Sequence, residues 1–238
     1  MDTSLGTLYI VATPIGNLED ITFRAVKILK EVDLIAAEDT RRTRILLTVY
    51  GIPARLTSYH DYNKKRQGEN LLKVLLSGKS VALVSDAGTP GISDPGYYLV
   101  NLALQNGITV IPIPGVSAII TALSVSGLPS DRFAFEGYLP KKMNQRRKYI
   151  QGLKDEERTL MLYESPHRIM GTLQDVLDIC GERWIVVARE LTKVYEEIIR
   201  GPLSWVLQQW AGVKMRGEFT ILIASALHSE KVLSSGKK

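Results

Sequence analysis

A two-domain α/β architecture, mainly parallel in the first half and mixed in the second, is predicted by three features of this sequence. Short apolar runs alternate with helical patterns through residues 7–113, the order of a parallel sheet with helices on both faces. Pro112, Pro114 and Gly115 then make the clearest break in composition, so the domains are expected at 1–114 and 115–238. Beyond the break, runs such as Trp184–Glu190 and Tyr195–Arg200 lie close enough in the chain to pair antiparallel.

Taken in order, the first domain should place strands near 7–12, 33–37, 55–59, 80–85 and 108–112, with helices near 20–31, 39–50, 66–77 and 95–106. Leu8–Ala12 and Val81–Val84 are continuous apolar runs, as in strands covered on both faces. Ile21, Ala25, Ile28 and Leu29 recur at helical spacing, as do Tyr97, Leu99, Val100 and Leu102. The second domain opens with a helix near 116–126. Strands are expected near 132–138, 158–163, 184–190, 194–200 and 218–226, and helices near 144–153, 166–180 and 202–210. Ser165 suits an N-cap and Pro166 a first helical position. The polar tail from His228 should fray.

Composition narrows the function. With 45% hydrophobic and 23% charged residues the chain reads as an ordinary globular protein. It has no apolar run of the ~18 residues that span a membrane, and residues 1–6 do not resemble a signal peptide. The lone Cys180 rules out an intrachain disulfide and suits a reducing cytoplasm, most simply as an inert thiol. There is no Walker A lysine loop, no Gly-x-Gly-x-x-Gly and no Gly-x-Ser-x-Gly elbow. His60, His167 and His228 lie near no cysteine pair, so no metal site is expected.

The net charge of +5 points to an acidic partner. Gly137 to Lys154 holds Lys141, Lys142, Arg146, Arg147, Lys148 and Lys154 without one acidic residue, and Tyr138 and Tyr149 flank the run. That is either a solvated face or a nucleic-acid surface.

Three predicted strands end in loops suited to a ligand: Thr13–Asp20, Ser85–Gly96 and Pro114–Ala118. Ligands in open α/β sheets sit at such carboxyl ends. Gly88 and Gly91 allow close backbone approach, and Asp86 offers a carboxylate. Charge also gathers at Ala37–Thr43, where Asp39 or Thr40 can cap a helix and leave Arg41 and Arg42 to meet an anion. Tyr163–Arg168 and Ala188–Lys193 close two further strands. Arg189, Glu190 and Lys193 there form either a structural ion-pair cluster or a polar ligand site.

These segments, with Tyr9–Asp20, Ser58-Tyr59-His60 and Pro112–Ala118, stand in the same order in one family. From about Thr7 to about Ala226 the chain resembles the small-subunit ribosomal RNA cytidine 2′-O-methyltransferases of the tetrapyrrole methylase superfamily. The resemblance implies two α/β domains with S-adenosylmethionine in a cleft between them, and a homodimer. It implies methylation of a cytidine ribose in the decoding region, on ribosomal RNA or the 30S particle. By position it assigns cofactor contacts to Pro14, Asp86, Gly88, Thr89, Ser117, Ala118, Leu162 and Tyr163. Most superfamily members carry Gly-x-Gly-x-Gly-Asp after the first strand. Thr13–Asp20 replaces it here, as in the ribosomal branch, which argues against a porphyrinoid substrate.

Methyl transfer from a sulfonium is an in-line displacement that needs alignment more than a metal. A ribose hydroxyl is weakly acidic, so a base should help. By charge Glu190 is the expected base, with Arg189 and Lys193 orienting phosphate or stabilising oxyanion. If the chain stays extended there, Glu190 points away from both cations. Arg41, Arg42, Lys141, Lys142, Arg146 and Arg147 are the expected phosphate contacts. The alternatives are a tetrapyrrole-type small-molecule methyltransferase, active without RNA, and an RNA-binding module with no adenosylmethionine site.

Overall fold

Five short runs of the first half become one all-parallel sheet: β1 (Thr7–Val11), β2 (Leu34–Ala37), β3 (Leu56–Ser58), β4 (Val81–Val84) and β5 (Thr109–Ile113). Their order is β3-β2-β4-β1-β5. The computed structural model describes residues 5–235, and the chain divides into two units, Met1–Ser117 and Ala118–Lys238.

Side-chain alternation sorts the helices of the first unit. Val11, Ile35, Ala37, Ala82 and Val84 face one way and pack on Ala25 and Leu29 of α1 (Phe23–Glu31) and Leu47 of α2 (Thr40–Val49). Leu8, Ala36, Val81 and Leu83 face the other way, onto Leu71 and Leu75 of α3 (Lys64–Leu76) and Leu99 of α4 (Gly96–Gln105). The caps follow the sequence. Thr22 accepts from Ala25 N–H at the start of α1, and Asp39 from Arg41 N–H at the start of α2.

This arrangement defines the site. β1 and β4 are neighbours, yet the chain leaves β1 for the α1 face and β4 for the α4 face. Adjacent strands whose connections part to opposite faces open a crevice at their carboxyl ends.

The second unit has β6 (Phe133–Tyr138), β7 (Thr159–Glu164), β8 (Trp184–Arg189), β9 (Glu197–Pro202) and β10 (Phe219–Ile223), ordered β6-β7-β10-β8-β9. Only β6 and β7 pair in parallel; β7–β10, β10–β8 and β8–β9 are antiparallel. Helices α5 (Ala118–Ser124), α6 (Met143–Gly152), α7 (Ile169–Cys180) and α8 (Leu203–Gln209) complete it around a core that includes Leu162, Leu173, Ile185, Val206 and Ile221.

Two expectations need correction. The tail from His228 is not frayed within the described residues, because α9 (Ala226–Ser235) carries it. Buried Ser229 anchors that helix, its hydroxyl accepting from Trp184 N–H at 3.0 Å. The strand expected at 194–200 begins only at Glu197, since 190–196 is a turn.

Candidate functional site

The three strand-end loops of the first unit converge. Thr13, just past β1, exchanges two backbone hydrogen bonds with Gly88, past β4, both at 2.9 Å. The Thr13 hydroxyl donates to Ser85 O at 3.1 Å, and the Ser85 hydroxyl to Gly88 O at 3.2 Å. The third loop joins through Thr89, whose hydroxyl donates to Val116 O at 3.3 Å. Gly88 is needed for its backbone: at φ +84° it is left-handed, and a Cβ would lie 3.5 Å from Ile15 Cγ2 and 3.7 Å from Val116 O. Pro14 is buried beside it, while Ser117 and Ala118 are half-buried. Bare backbone with neutral hydroxyls suits a nucleoside-bearing ligand.

Asp86 is engaged within the unit. Its Oδ1 accepts from Asp39 N–H at 2.8 Å, and its Oδ2 lies 3.5 Å from Arg42. It therefore ties the β2 loop to the β4 loop. Arg41 grips Asp39 at 2.7 and 3.0 Å, and this guanidinium holds the Asp39 carboxyl well below the usual range. Arg41 and Arg42 are exposed, and each lies beside a carboxylate in a solvent-exposed pair.

In the second unit Leu162 points into the core, 2% exposed, so its side chain is not a contact surface. Its backbone lies at an irregularity in the strand pairing. The β6–β7 register runs from Phe135↔Met161 to Tyr138↔Tyr163, so Glu136 and Gly137 together oppose Leu162. Such a bulge locally disrupts the ladder. Tyr163 packs edge-on against Phe135, centroids 4.9 Å apart, with Tyr138 at 5.7 Å. Burial, with Tyr138 and Glu218 nearby, pushes its hydroxyl up to about 12.

The basic run divides. Lys141 and Lys142 are exposed and have no ion pair among the described residues. Arg146 is a correction: it is 8% exposed and turned inward, its Nε and Nη2 on Asp175 of α7 at 2.7 and 2.6 Å. A guanidinium buried against a carboxylate cannot meet a phosphate. Arg147 is also paired, to Asp175 at 2.6 Å and Asp178 at 2.9 Å.

Glu190 does not fit the role of base either. The chain turns after β8, with Glu190 at φ 50° and Thr192 at φ 66°. Its Oε1 accepts from Lys193 Nζ at 2.8 Å and from Glu218 N–H at 3.0 Å. The side chain lies so close over Gly217 that a Cβ there would fall 2.5 Å from Glu190 Cγ. Burial raises the carboxyl, but Lys193 and the Glu218 N–H outweigh it and the group sits below its usual 4.5. That makes it a weak proton acceptor. Arg189 is held by Arg216 O at 2.8 Å and Glu197 at 3.2 Å.

Glu190→Gln is therefore expected to lower stability by about 1–3 kcal/mol and leave single-turnover methyl transfer within a few-fold. Because the folded carboxyl is depressed, its stabilisation is present at neutral pH and fades as pH falls below about 4.5. Melting curves at pH 7 and pH 4 check this. A large rate loss at unchanged stability would return Glu190 to catalysis.

Among the described residues no group of His, Cys, Asp and Glu is placed to hold a metal ion, and no helix is long and apolar enough to cross a membrane. Glu38, His60 and Asp94 lie just past the ends of β2 and β3 and in the loop after β4.

Residues 7–206 match the model of the tetrapyrrole (corrin/porphyrin) methylases. Proteins named ribosomal RNA small subunit methyltransferase I are similar over nearly the whole chain. That of Halalkalibacterium halodurans is 52% identical over 95% of this chain and 78% of its own. That of Thermotoga maritima is 49% identical over 92% and 99%. Among solved structures, a cobalt precorrin-4 methyltransferase superposes with TM-score 0.70 at 17% identity, covering 92% of this chain and 94% of its own. The uroporphyrin-III C-methyltransferase of Thermus thermophilus, complexed with S-adenosylhomocysteine, superposes at 0.64 and 19%, covering 94% and 99%. The structural likenesses establish the fold, and with the family match they show that this chain belongs to the tetrapyrrole methylase family.

Proposed function

We propose that this chain uses S-adenosylmethionine to methylate a cytidine ribose 2′-hydroxyl of small-subunit ribosomal RNA. Support comes first from the convergence of the β1, β4 and β5 loops at the switch point of the sheet. About half-identity to proteins named for that RNA supports the substrate. The cytidine and the 2′-oxygen follow from the motifs of the ribosomal branch.

When bound, S-adenosylmethionine supplies an electrophilic methyl group. Pro14, the Gly88 backbone and the Thr89 and Ser117 hydroxyls would hold it in the first unit. Thr89 already spends its proton on Val116 O, which leaves its oxygen to accept. The resemblance also assigns cofactor contacts to Ala118, Leu162 and Tyr163 of the second unit. Asp86 supports these loops by fixing Asp39. Exposed Lys141 and Lys142 are the phosphate contacts, on ribosomal RNA or the 30S particle. The resemblance implies a homodimer, and the lone Cys180 suits a reducing cytoplasm.

Replacing Lys141 and Lys142 with Ala should weaken RNA binding and reduce the salt slope by about two units, roughly one per phosphate contact. An unchanged slope would make the run a solvated face. The function itself is tested by incubating the protein with methyl-labelled adenosylmethionine and small subunits lacking the modification. Label should enter RNA. Label entering only a porphyrinoid, or RNA binding without donor binding, would overturn the reading.

A further inference from the structure

We propose that Glu38, His60 and Asp94 form the subsite for the accepting ribose, with Glu38 taking the hydroxyl proton. This rests on the ribose-methylating reading above and assigns its acceptor side. Along β2, Ala36 faces the α3/α4 side with Tyr59 and Leu99, and Glu38 lies two residues further on. His60 follows Tyr59 directly, and Asp94 sits in the loop after β4. That loop also carries Gly88 and Thr89, so one segment links the donor cradle to this cluster.

The cluster holds polar atoms that the fold leaves unused. Asp94 Oδ1 accepts from the Gly91 and Gly96 N–H groups, both at 2.7 Å, but its Oδ2 is buried without a partner among the described residues. His60 Nδ1 is likewise buried and unpartnered, while Asn63 Oδ1 fixes the His60 backbone at 2.9 Å. Such atoms are costly, about 1–3 kcal/mol each. The loop is strained as well, with Ser93 at φ 67°, and Tyr59 braces it by donating to Pro95 O at 3.2 Å. Unmet hydrogen bonds on a strained, braced loop point to a ligand.

The surroundings specify its class. An open cavity of about 350 Å³ reaches the cluster at Asp94 and is lined also by Asp61, Lys64, Ser93, Tyr97 and Tyr98. Tyr97, on the cavity wall, is 75% exposed, and Tyr62, 99% exposed, meets the His60 ring edge-on at 6.1 Å; both rings present a face on which a base can stack. Carboxylates and an imidazole for hydroxyls, aromatic rings for a base and Lys64 for a phosphate fit one nucleotide of an unpaired RNA strand. Lys64 is meanwhile held by Asp61 at 2.8 Å.

Glu38 suits the base role on electrostatic grounds too. Burial pushes its carboxyl up, and Asp86, Asp94 and Asp61 push the same way against the Asp86 backbone N–H. Arg42 faces Asp86. In the transfer the ribose oxygen bonds the methyl carbon as the sulfur–carbon bond breaks, its electron pair staying on sulfur. The hydroxyl proton passes to Glu38, and S-adenosylhomocysteine leaves as a neutral thioether.

Glu38→Gln should slow single-turnover transfer into small subunits by ~10²–10⁴-fold and remove the acidic limb of the pH–rate profile. Calorimetric affinity for S-adenosylhomocysteine and the affinity for RNA should stay within threefold of wild type. A binding readout independent of turnover uses Asp94→Asn and RNA carrying 2′-deoxycytidine at the target. Wild type should prefer the ribose form, and the variant should lose that preference. If Glu38→Gln melts early, Glu38→Asp must recover rate. Wild-type rate in Glu38→Gln, or ribose preference intact in Asp94→Asn, overturns the assignment while the function stands. Wild-type protein that labels no RNA overturns both.

Discussion

Replacing Asp175 with Ala is expected to destabilise the second unit by about 3–5 kcal/mol, the usual result of stripping the partner from a buried ion. Asp175 is 4% exposed and binds Arg146 and Arg147 together. Arg147 keeps Asp178 when Asp175 is lost, but Arg146 has no other ion-pair partner among the described residues. Trp184, Trp205 and Trp210, all the tryptophans of the chain, lie in this unit. Denaturant unfolding followed by tryptophan fluorescence therefore isolates the effect. The double change Arg146→Met with Asp175→Leu should recover most of the loss, because an apolar pair needs no desolvated charge. A loss below about 1 kcal/mol in Asp175→Ala would mean that the pair is solvated and would restore Arg146 as a phosphate contact.

Gly88→Val should lower S-adenosylmethionine affinity at least ~100-fold, equivalent to about 2.7 kcal/mol. At φ +84° a β-branched side chain is strained, and its methyl groups would meet Ile15 and the Val116 carbonyl, which lie 3.5 and 3.7 Å from the first carbon. Gly88→Ala has room for that single carbon and should cost only the backbone strain, ~1–2 kcal/mol. Titration calorimetry separates the two variants, with the tryptophan signal of the second unit as an internal control. Unchanged donor affinity in Gly88→Val would reduce the Thr13–Gly88 junction to a strand connection.

The element order was legible because the central strands β2 and β4 are unbroken apolar runs and the helices repeat at three and four residues. The strand-end loops were legible for a different reason. Gly88, Pro90, Gly91 and Pro95 cluster where neither helix nor strand can continue. What was hidden depended on partners far along the chain. Arg146 reads as one more cation in a basic run, and only its spacing to Ile150 and Leu153 betrays the buried face of α6. Its carboxylate comes from position 175.

The turn at Glu190 gave no signal, since two non-glycine residues adopt left-handed backbone there. Lys193 and Glu196 hold it from the far side, Glu196 accepting from Thr192 N–H at 2.6 Å. Glu38 was hidden in plain view beside Asp39. It stands in a stretch where charge gathers and the cap falls to Asp39, and only the fold brings it towards Asp94 and Asp61.

The chemical position of the transferred methyl group tests the account most directly. Methylation of a ribose 2′-oxygen removes the internal nucleophile that alkali needs to cleave the next phosphodiester. Small-subunit RNA labelled by this protein should therefore yield its label, after complete alkaline hydrolysis, in an alkali-resistant dinucleotide whose first residue is cytidine. Label recovered in alkali-released mononucleotides would place the methyl on a base and contradict an acceptor site built for a ribose hydroxyl.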